Sequence, residues 1–289
     1  MLEVHSVWKF FGKTIALRNV TLNIPPRSFH LLLGPNGSGK TTLLKLWTGL
    51  IKPSKGEVIT LGMDPWKNRS KVMKYVNVAF EDLVLPWWTT GIDYLRYYAS
   101  VKNIKWSEVK ELAEYFGVDK YWNRIIRGYS SGMRKKIILI QALVGEPEII
   151  ILDEPYPLLD KQSIQKLNVL LKEHSKSKTI IIASHVLAGV EKLVTSLAIL
   201  INGTKVFDSR VEELKQHTII TYECKSQKPW KAVKELSSRG IIDIEIRGNN
   251  IIFTTSKEFK LSELEELDNC KTILNIEKLY VNVLRSYST

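Results

Sequence analysis

The apolar positions of the first thirty-three residues predict strands. Leu2, Val4, Val7 and Trp8 mark one, and Val20, Leu22 and Ile24 alternate in a second that Pro25-Pro26 ends. Residues 29–33 carry Phe29 and three leucines and predict a buried strand. A helix-like run at 43–47 follows, then a turn at 52–57 and a strand at 58–62. Residues 71–80 lead into another strand, ending at Glu81. The aliphatic runs 149–152 and 178–185 predict two more buried strands, with a helix at 161–176 between them. Residues 197–201 and 205–207 flank Asn202-Gly203, a hairpin signal.

Between 86 and 130 the spacing turns helical and the aromatics crowd together. Ser107 is the predicted N-cap of a helix whose face carries Val109, Leu112 and Phe116 and which stops at Gly117. Most of these aromatics are expected in a core, while Trp87-Trp88 after Pro86 reads as an exposed docking surface. A helix is expected to open at 129–136 and run to about 144. Near residue 212 the composition shifts. Strands are expected at 218–224, 241–246 and 251–255, helices at 230–238 and 261–267, and a last strand at 273–280. That tail reads as a small α+β domain without a catalytic constellation.

The strand at 29–33 is followed by Gly34, Pro35, Asn36, Gly37, Ser38, Gly39, Lys40, Thr41 and Thr42, then by a helix. Strand, glycine loop and helix with the spacing Gly34-x-x-x-x-Gly39-Lys40-Thr41 form a P-loop. The glycines let successive N–H groups turn around a phosphate, and the helix N-terminus favours the same anion. Lys40 reaches β- and γ-phosphates and the Thr41 hydroxyl ligates Mg²⁺ in such loops. The strand at 149–152 ends in Asp153-Glu154, where doubly wound sheets bind ligands. Asp153 suits the metal and Glu154 a general base. His185 closes the 178–185 strand at the same expected sheet edge.

The formal charge of +12 is unevenly placed, with 30 basic against 19 acidic residues in 1–212 and 12 against 11 in 213–289. Such a surplus suits anionic partners: nucleotide, nucleic acid or an acidic membrane surface. No apolar run approaches the roughly 20 residues a spanning helix needs, and the N-terminus carries no signal-peptide pattern. The two cysteines, Cys224 and Cys270, lack CxxC spacing, so neither a metal site nor a disulfide framework is expected, which fits a reducing cytoplasm.

With the P-loop, Ser130–Met133, Asp153-Glu154 and His185 in this order, residues 1–212 resemble the ATPase subunit of ABC transporters. The resemblance implies an α/β fold: a P-loop core with an N-terminal antiparallel β-subdomain and a helical insert at about 84–145. The small domain at 213–289 would be regulatory or dimerising. It implies ATP and Mg²⁺ as ligands. Phe11 would stack on adenine, and residues 34–42 would be Walker A. Ser130, Ser131 and Gly132 would be the signature motif reaching the γ-phosphate bound by an opposite subunit. Asp153, Glu154, Asp160 and His185 would be the Walker B aspartate, the catalytic glutamate, the D-loop aspartate and the switch histidine. Two subunits, identical or paralogous, would sandwich two ATP molecules head to tail and move a separate transmembrane permease, with the protein peripheral on the inner face of the membrane.

Three features depart from the family pattern. The signature reads Tyr-Ser-Ser-Gly-Met where Leu-Ser-Gly-Gly-Gln is common. Glu81 stands where a glutamine metal ligand is expected, and a carboxylate also ligates Mg²⁺. The D-loop, Tyr-Pro-Leu-Leu-Asp, is loose. The tail resembles the C-terminal extension of ABC-2-type exporter ATPases in size and element order. The reading is therefore an ATPase subunit of a transporter, leaning to export. Two alternatives are a soluble ABC ATPase acting on nucleic acid or the ribosome, which the charge suggests, and a weakly hydrolysing regulatory subunit, which Glu81 suggests. The aromatic insert and the lack of a second ATPase unit or long coiled coil argue against nucleic acid. Intact Lys40, Asp153, Glu154 and His185 argue against weak hydrolysis.

Overall fold

A computed structural model describes residues 1–185, 189–214, 220–237, 241, 243–255, 266–273 and 276–288. The chain divides into two compact units, Met1–Asp208 and Ser209–Thr289.

In the first unit, β1 (Leu2–Phe11) pairs antiparallel with β2 (Thr14–Ile24) and with β4 (Lys55–Thr60), giving the order β2-β1-β4. This is the expected antiparallel subdomain, although β4 starts three residues earlier than its apolar pattern, since pairing with β1 carries it across the polar stretch 55–57. The second sheet has six strands in the order β5-β6-β7-β3-β8-β9. These are β3 (Phe29–Leu33), β5 (Val76–Ala79), β6 (Ile149–Asp153), β7 (Thr179–Ser184), β8 (Ser196–Ile201) and β9 (Thr204–Arg210). From β5 to β8 every neighbouring pair is parallel. Strands β3, β5, β6 and β7 are buried at every position, as helices covering both faces of a parallel sheet require.

Helix α1 (Lys40–Trp47) contacts β1, β2 and β4 of one sheet and β6 of the other, so its apolar residues Leu43, Leu44, Leu46 and Trp47 belong to a core shared by both sheets. A short α2 (Arg69–Val72) precedes β5, within a stretch whose pattern suggested only the approach to a strand. The helical insert holds α3 (Gly91–Lys102), α4 (Trp106–Phe116), a 3₁₀ turn at Ile126–Gly128 and α5 (Ser131–Leu143). Lys105, not Ser107, occupies the N-cap of α4, while Gly117 ends it in a left-handed conformation as expected. Val109, Ala113 and Phe116 face the core, and Leu112 is only half-buried. Trp87 and Trp88 are exposed, and so is Tyr97, which the crowding of aromatics had suggested for the core. Helix α6 (Lys161–His174) links β6 to β7. The hairpin between β8 and β9 turns on Asn202 and Gly203, both at positive φ (48° and 79°), the backbone that a tight two-residue turn demands.

The second unit begins with the end of β9 and a short α7 (Val211–Leu214). It carries an antiparallel sheet in the order β11-β12-β10-β13: β10 (Ile220–Lys225), β11 (Asp243–Arg247), β12 (Asn250–Thr255) and β13 (Asp268–Ile273). Helix α8 (Pro229–Ser237) supplies Ala232 and Leu236 to a core with Tyr222, Ile251 and Phe253. The helix expected at 261–267 falls largely outside the described residues. The strand expected at 273–280 is instead the end of β13 followed by helix α9 (Ile276–Ser288). Ile276, Leu279, Tyr280, Val283 and Tyr287 recur at three- and four-residue spacing, which a window ending at 280 cuts off.

The expectation about cysteine is also corrected. Cys224 and Cys270 form a disulfide across β10 and β13. Their separation of 46 residues carries no spacing signal; neighbouring strands bring them together. Cysteine usage therefore says nothing in favour of a reducing compartment. Cutting this cross-link, by reduction or by Cys270→Ser, is expected to destabilise the second unit by about 2–4 kcal/mol. Thermal unfolding with and without reductant checks this; identical curves for oxidised and reduced protein would show that the bond does not restrain the fold.

Candidate active site

Chain chemistry gathers at one edge of the parallel sheet because parallel strands present their carboxyl ends together. The glycine loop follows β3, Glu81 follows β5, Asp153-Glu154 close β6, and His185 follows β7. Gly37 and Gly39 sit at φ 77° and 103°, left-handed backbone that a side chain resists. A Cβ on Gly39 would also lie 2.7 Å from the Ala16 carbonyl oxygen, so β2 leaves no room for one. The loop is braced a second time: the Gly203 N–H donates to the Ser38 carbonyl at 3.0 Å, while the Gly203 carbonyl accepts from the Arg18 N–H at 2.7 Å.

Lys40 is buried. Its ammonium donates to the Gly34 and Pro35 carbonyls at 2.7 and 3.3 Å and pairs with Glu154 at 3.5 Å. The Thr41 hydroxyl donates to Asp153 Oδ2 at 2.7 Å, tying the start of α1 to the end of β6. Asp153 is fully buried, and its Oδ1 has no hydrogen-bond partner among the described residues. Burial pushes its carboxyl up to about 6; the Thr41 hydrogen bond opposes this, and the charges of Glu154 and Glu81 add to it.

Glu154 is held from several directions. Its Oε2 accepts from Ser184 Oγ at 3.0 Å and its Oε1 lies 2.9 Å from His185 Nδ1. Its backbone sits at φ 45°, a left-handed conformation that costs a non-glycine residue about 1–2 kcal/mol. Its N–H donates to the Ala183 carbonyl at 2.8 Å. A buried carboxylate within reach of an ammonium, a hydroxyl and an imidazole at a phosphate cradle is equipped to take a proton from water.

A cavity of about 290 Å³ is lined by Asn36, Gly37, Ser38, Gly39, Lys40, Thr41, Thr42, Glu81, Asp153 and Glu154, all expected from the sequence. It is also lined by Thr14, Ile15 and Ala16, which were not. Their only signal was the Gly12-Lys13 turn that sends β2 back toward the loop. Gly34 precedes the lining residues, and a Cβ there would meet the Leu200 carbonyl oxygen at 2.3 Å. His185 joins the site through Glu154. Phe11 is not among the lining residues; its ring is half-exposed with the Lys9 ammonium 4.9 Å from its centroid.

Ser130, Ser131 and Gly132 lie outside the cavity at the start of α5, with both serines exposed. Ser130 caps that helix by accepting from the Met133 N–H. A Cβ on Gly132 would lie 2.7 Å from the Leu158 carbonyl oxygen, so this glycine admits the 156–160 loop. Asp160 also lies outside the cavity. It caps α6 through the Ser163 N–H and pairs with Lys136 at 2.8 Å, contacts that hold its carboxyl below the usual range, Lys136 first.

The donor set fits a hard divalent cation. Thr41 and Asp153 offer oxygen, the unpartnered Asp153 Oδ1 points to an unfilled bonding need, and Glu81 lines the same cavity.

This geometry is that of an ABC-type ATPase, and comparison with known proteins agrees. The ABC transporter family profile matches residues 17–157. The ABC transporter ATP-binding protein NatA of Bacillus subtilis is 31% identical over 205 residues, covering 69% of this chain and 83% of its own. The lantibiotic transport ATP-binding protein SrtF of Streptococcus pyogenes is 29% identical over 213 residues, covering 73% and 92%. The dimeric ATP-binding cassette MJ0796 bound to ADP and Pi superposes with a TM-score of 0.65 at 24% identity, covering 73% of this chain and 99% of its own. The chain belongs to the ABC transporter ATP-binding protein family.

Asp153 makes stability depend on pH in the nucleotide-free protein. A carboxyl raised to about 6 contributes stability that is fully present below about pH 4 and lost as pH rises through about 6. Asp153→Asn, neutral throughout, is expected to be more stable than wild type at pH 7.5 by about 2–3 kcal/mol. At pH 4 the gap should close. Denaturant unfolding at the two pH values checks both statements, and a gap independent of pH would refute the assignment.

Proposed function

We propose that the chain is the ATP-hydrolysing subunit of a membrane exporter, working as a head-to-tail pair. The observation that carries this is Glu154. It is buried beside Lys40, bonded to Ser184 and His185, and adjacent in the chain to Asp153, whose Oδ1 has no hydrogen-bond partner among the described residues. In this reading the loop N–H groups and Lys40 hold the phosphates of ATP. Mg²⁺, when bound, would be held by Thr41 and Asp153, with Glu81 beside them, and would offset phosphate charge. Glu154 takes the proton from the attacking water, and His185 orients that carboxylate and faces the γ-phosphate. Phe11 is assigned to the adenine. Ser130, Ser131 and Gly132 lie outside the cavity of their own chain, which suits a motif that completes the site of an opposite subunit.

A separate permease is the proposed partner in the membrane, reached from its inner face. The exposed Trp87, Trp88 and Tyr97 of the helical insert supply an apolar docking surface of the kind that marks protein interfaces. No helix among the described residues is long and apolar enough to cross a membrane. Export is favoured by the size and element order of the tail at 213–289, which we read as a regulatory or dimerising domain.

Glu154→Gln keeps the shape of the site and removes the base. ATP with Mg²⁺ is expected to shift this variant from monomer to dimer on size exclusion, with hydrolysis at least 100-fold below wild type. A variant that hydrolyses ATP like wild type would refute the role of Glu154. One that stays monomeric at saturating ATP would refute the self-pairing.

A further inference from the structure

Lys135 sits on α5, three residues past the signature glycine. Its side chain is buried, yet it forms no ion pair among the described residues. Its ammonium instead donates to the backbone carbonyl of Glu154 at 2.6 Å. A buried ammonium is costly to desolvate, so it is found where something holds it. What it holds here is the one residue at the cavity whose left-handed backbone is not carried by a glycine.

Of the other supports of Glu154, the Lys40 ammonium comes from α1 and pairs with the carboxylate, while the Ala183 carbonyl, Ser184 Oγ and His185 Nδ1 come from β7 and the residue after it. The Lys135 contact comes from a different element. With the N–H of one flanking peptide held by Ala183 and the carbonyl of the next held by Lys135, the Glu154 backbone cannot rotate out of its strained conformation without breaking one bond or the other. The direction of the carboxylate follows from that backbone.

We propose that Lys135 is a positioning residue for hydrolysis, holding the Glu154 carbonyl so that the carboxylate is aimed at the attacking water. The inference rests on the ATPase reading above. It gives Lys135 no contact with nucleotide, so loss of its donor should slow the chemical step and leave nucleotide binding intact.

The test uses the full chain, single-turnover hydrolysis of ATP with Mg²⁺, and titration with a fluorescent ATP analogue. K135M keeps an unbranched side chain, one atom shorter, and removes the donor. It is expected to lower the single-turnover rate at least tenfold while the dissociation constant stays within twofold. K135Q keeps a neutral N–H donor and is expected to stay within about threefold of the wild-type rate. A K135M rate within twofold of wild type overturns the proposal. So does a parallel loss of nucleotide affinity, or a K135Q rate as low as that of K135M, which would make charge rather than the carbonyl bond the important term. If K135M does not fold, K135Q decides: a rate within threefold at unchanged affinity upholds the proposal, and a tenfold loss overturns it. Wild-type protein that binds ATP without hydrolysing it would instead overturn the ATPase reading itself.

Discussion

Burial on both faces of the parallel sheet is the constraint on which the site depends. Strands β3, β6 and β7 have no position open to water, so their side chains are mostly aliphatic and their backbone groups are paired within the sheet. Polar chemistry is pushed to where the strands stop. Because they run parallel, they stop along one edge, and each contributes its next residues there: the glycine loop, the Asp153-Glu154 pair and His185. The Thr41–Asp153 hydrogen bond closes the arrangement by joining the helix after one strand to the end of another.

The cost of that convergence falls on the carboxylates. Asp153 and Glu154 are adjacent, buried and of like charge, with Glu81 lining the same cavity. Lys40, Lys135, Thr41, Ser184 and His185 are the groups that offset them. Asp153 Oδ1 remains without a partner among the described residues, and a cation bound there would offset the carboxylate charge. Any ligand that supplies the missing charge would stabilise the folded unit to an extent set by its affinity.

Most of the first unit was legible in the sequence because its signals are local. A glycine loop with Lys40 and Thr41 in register, and aliphatic strands ending in Asp153-Glu154 and in His185, need no knowledge of what lies across the sheet. What was illegible depends on contacts far apart in the chain. Thr14, Ile15 and Ala16 line the cavity only because β2 folds back against Gly39. Lys135 reads as one of three consecutive cations on a helix, and nothing in its spacing says it turns inward to Glu154. In the second unit the signals are weaker. Residues 273–280 carry enough aliphatic residues to suggest a strand until the following turns of α9 are counted, and Cys224 and Cys270 meet only through the register of β10 and β13.

At the tip of the β8–β9 hairpin Asn202 is exposed, but Gly203 is interior. By sequence, Asn202-Gly203 is a surface turn, the kind of place where insertions and side chains are ordinarily tolerated. Here Gly203 is wedged between β2 and the phosphate loop, bonded to Arg18 on one side and Ser38 on the other, and a Cβ would lie 2.7 Å from the Ala16 carbonyl oxygen. A lengthened or bulkier tip would act as a lever on the loop that grips the phosphates. In a library of random insertions, Gly203 should behave like a core position although it sits in a turn.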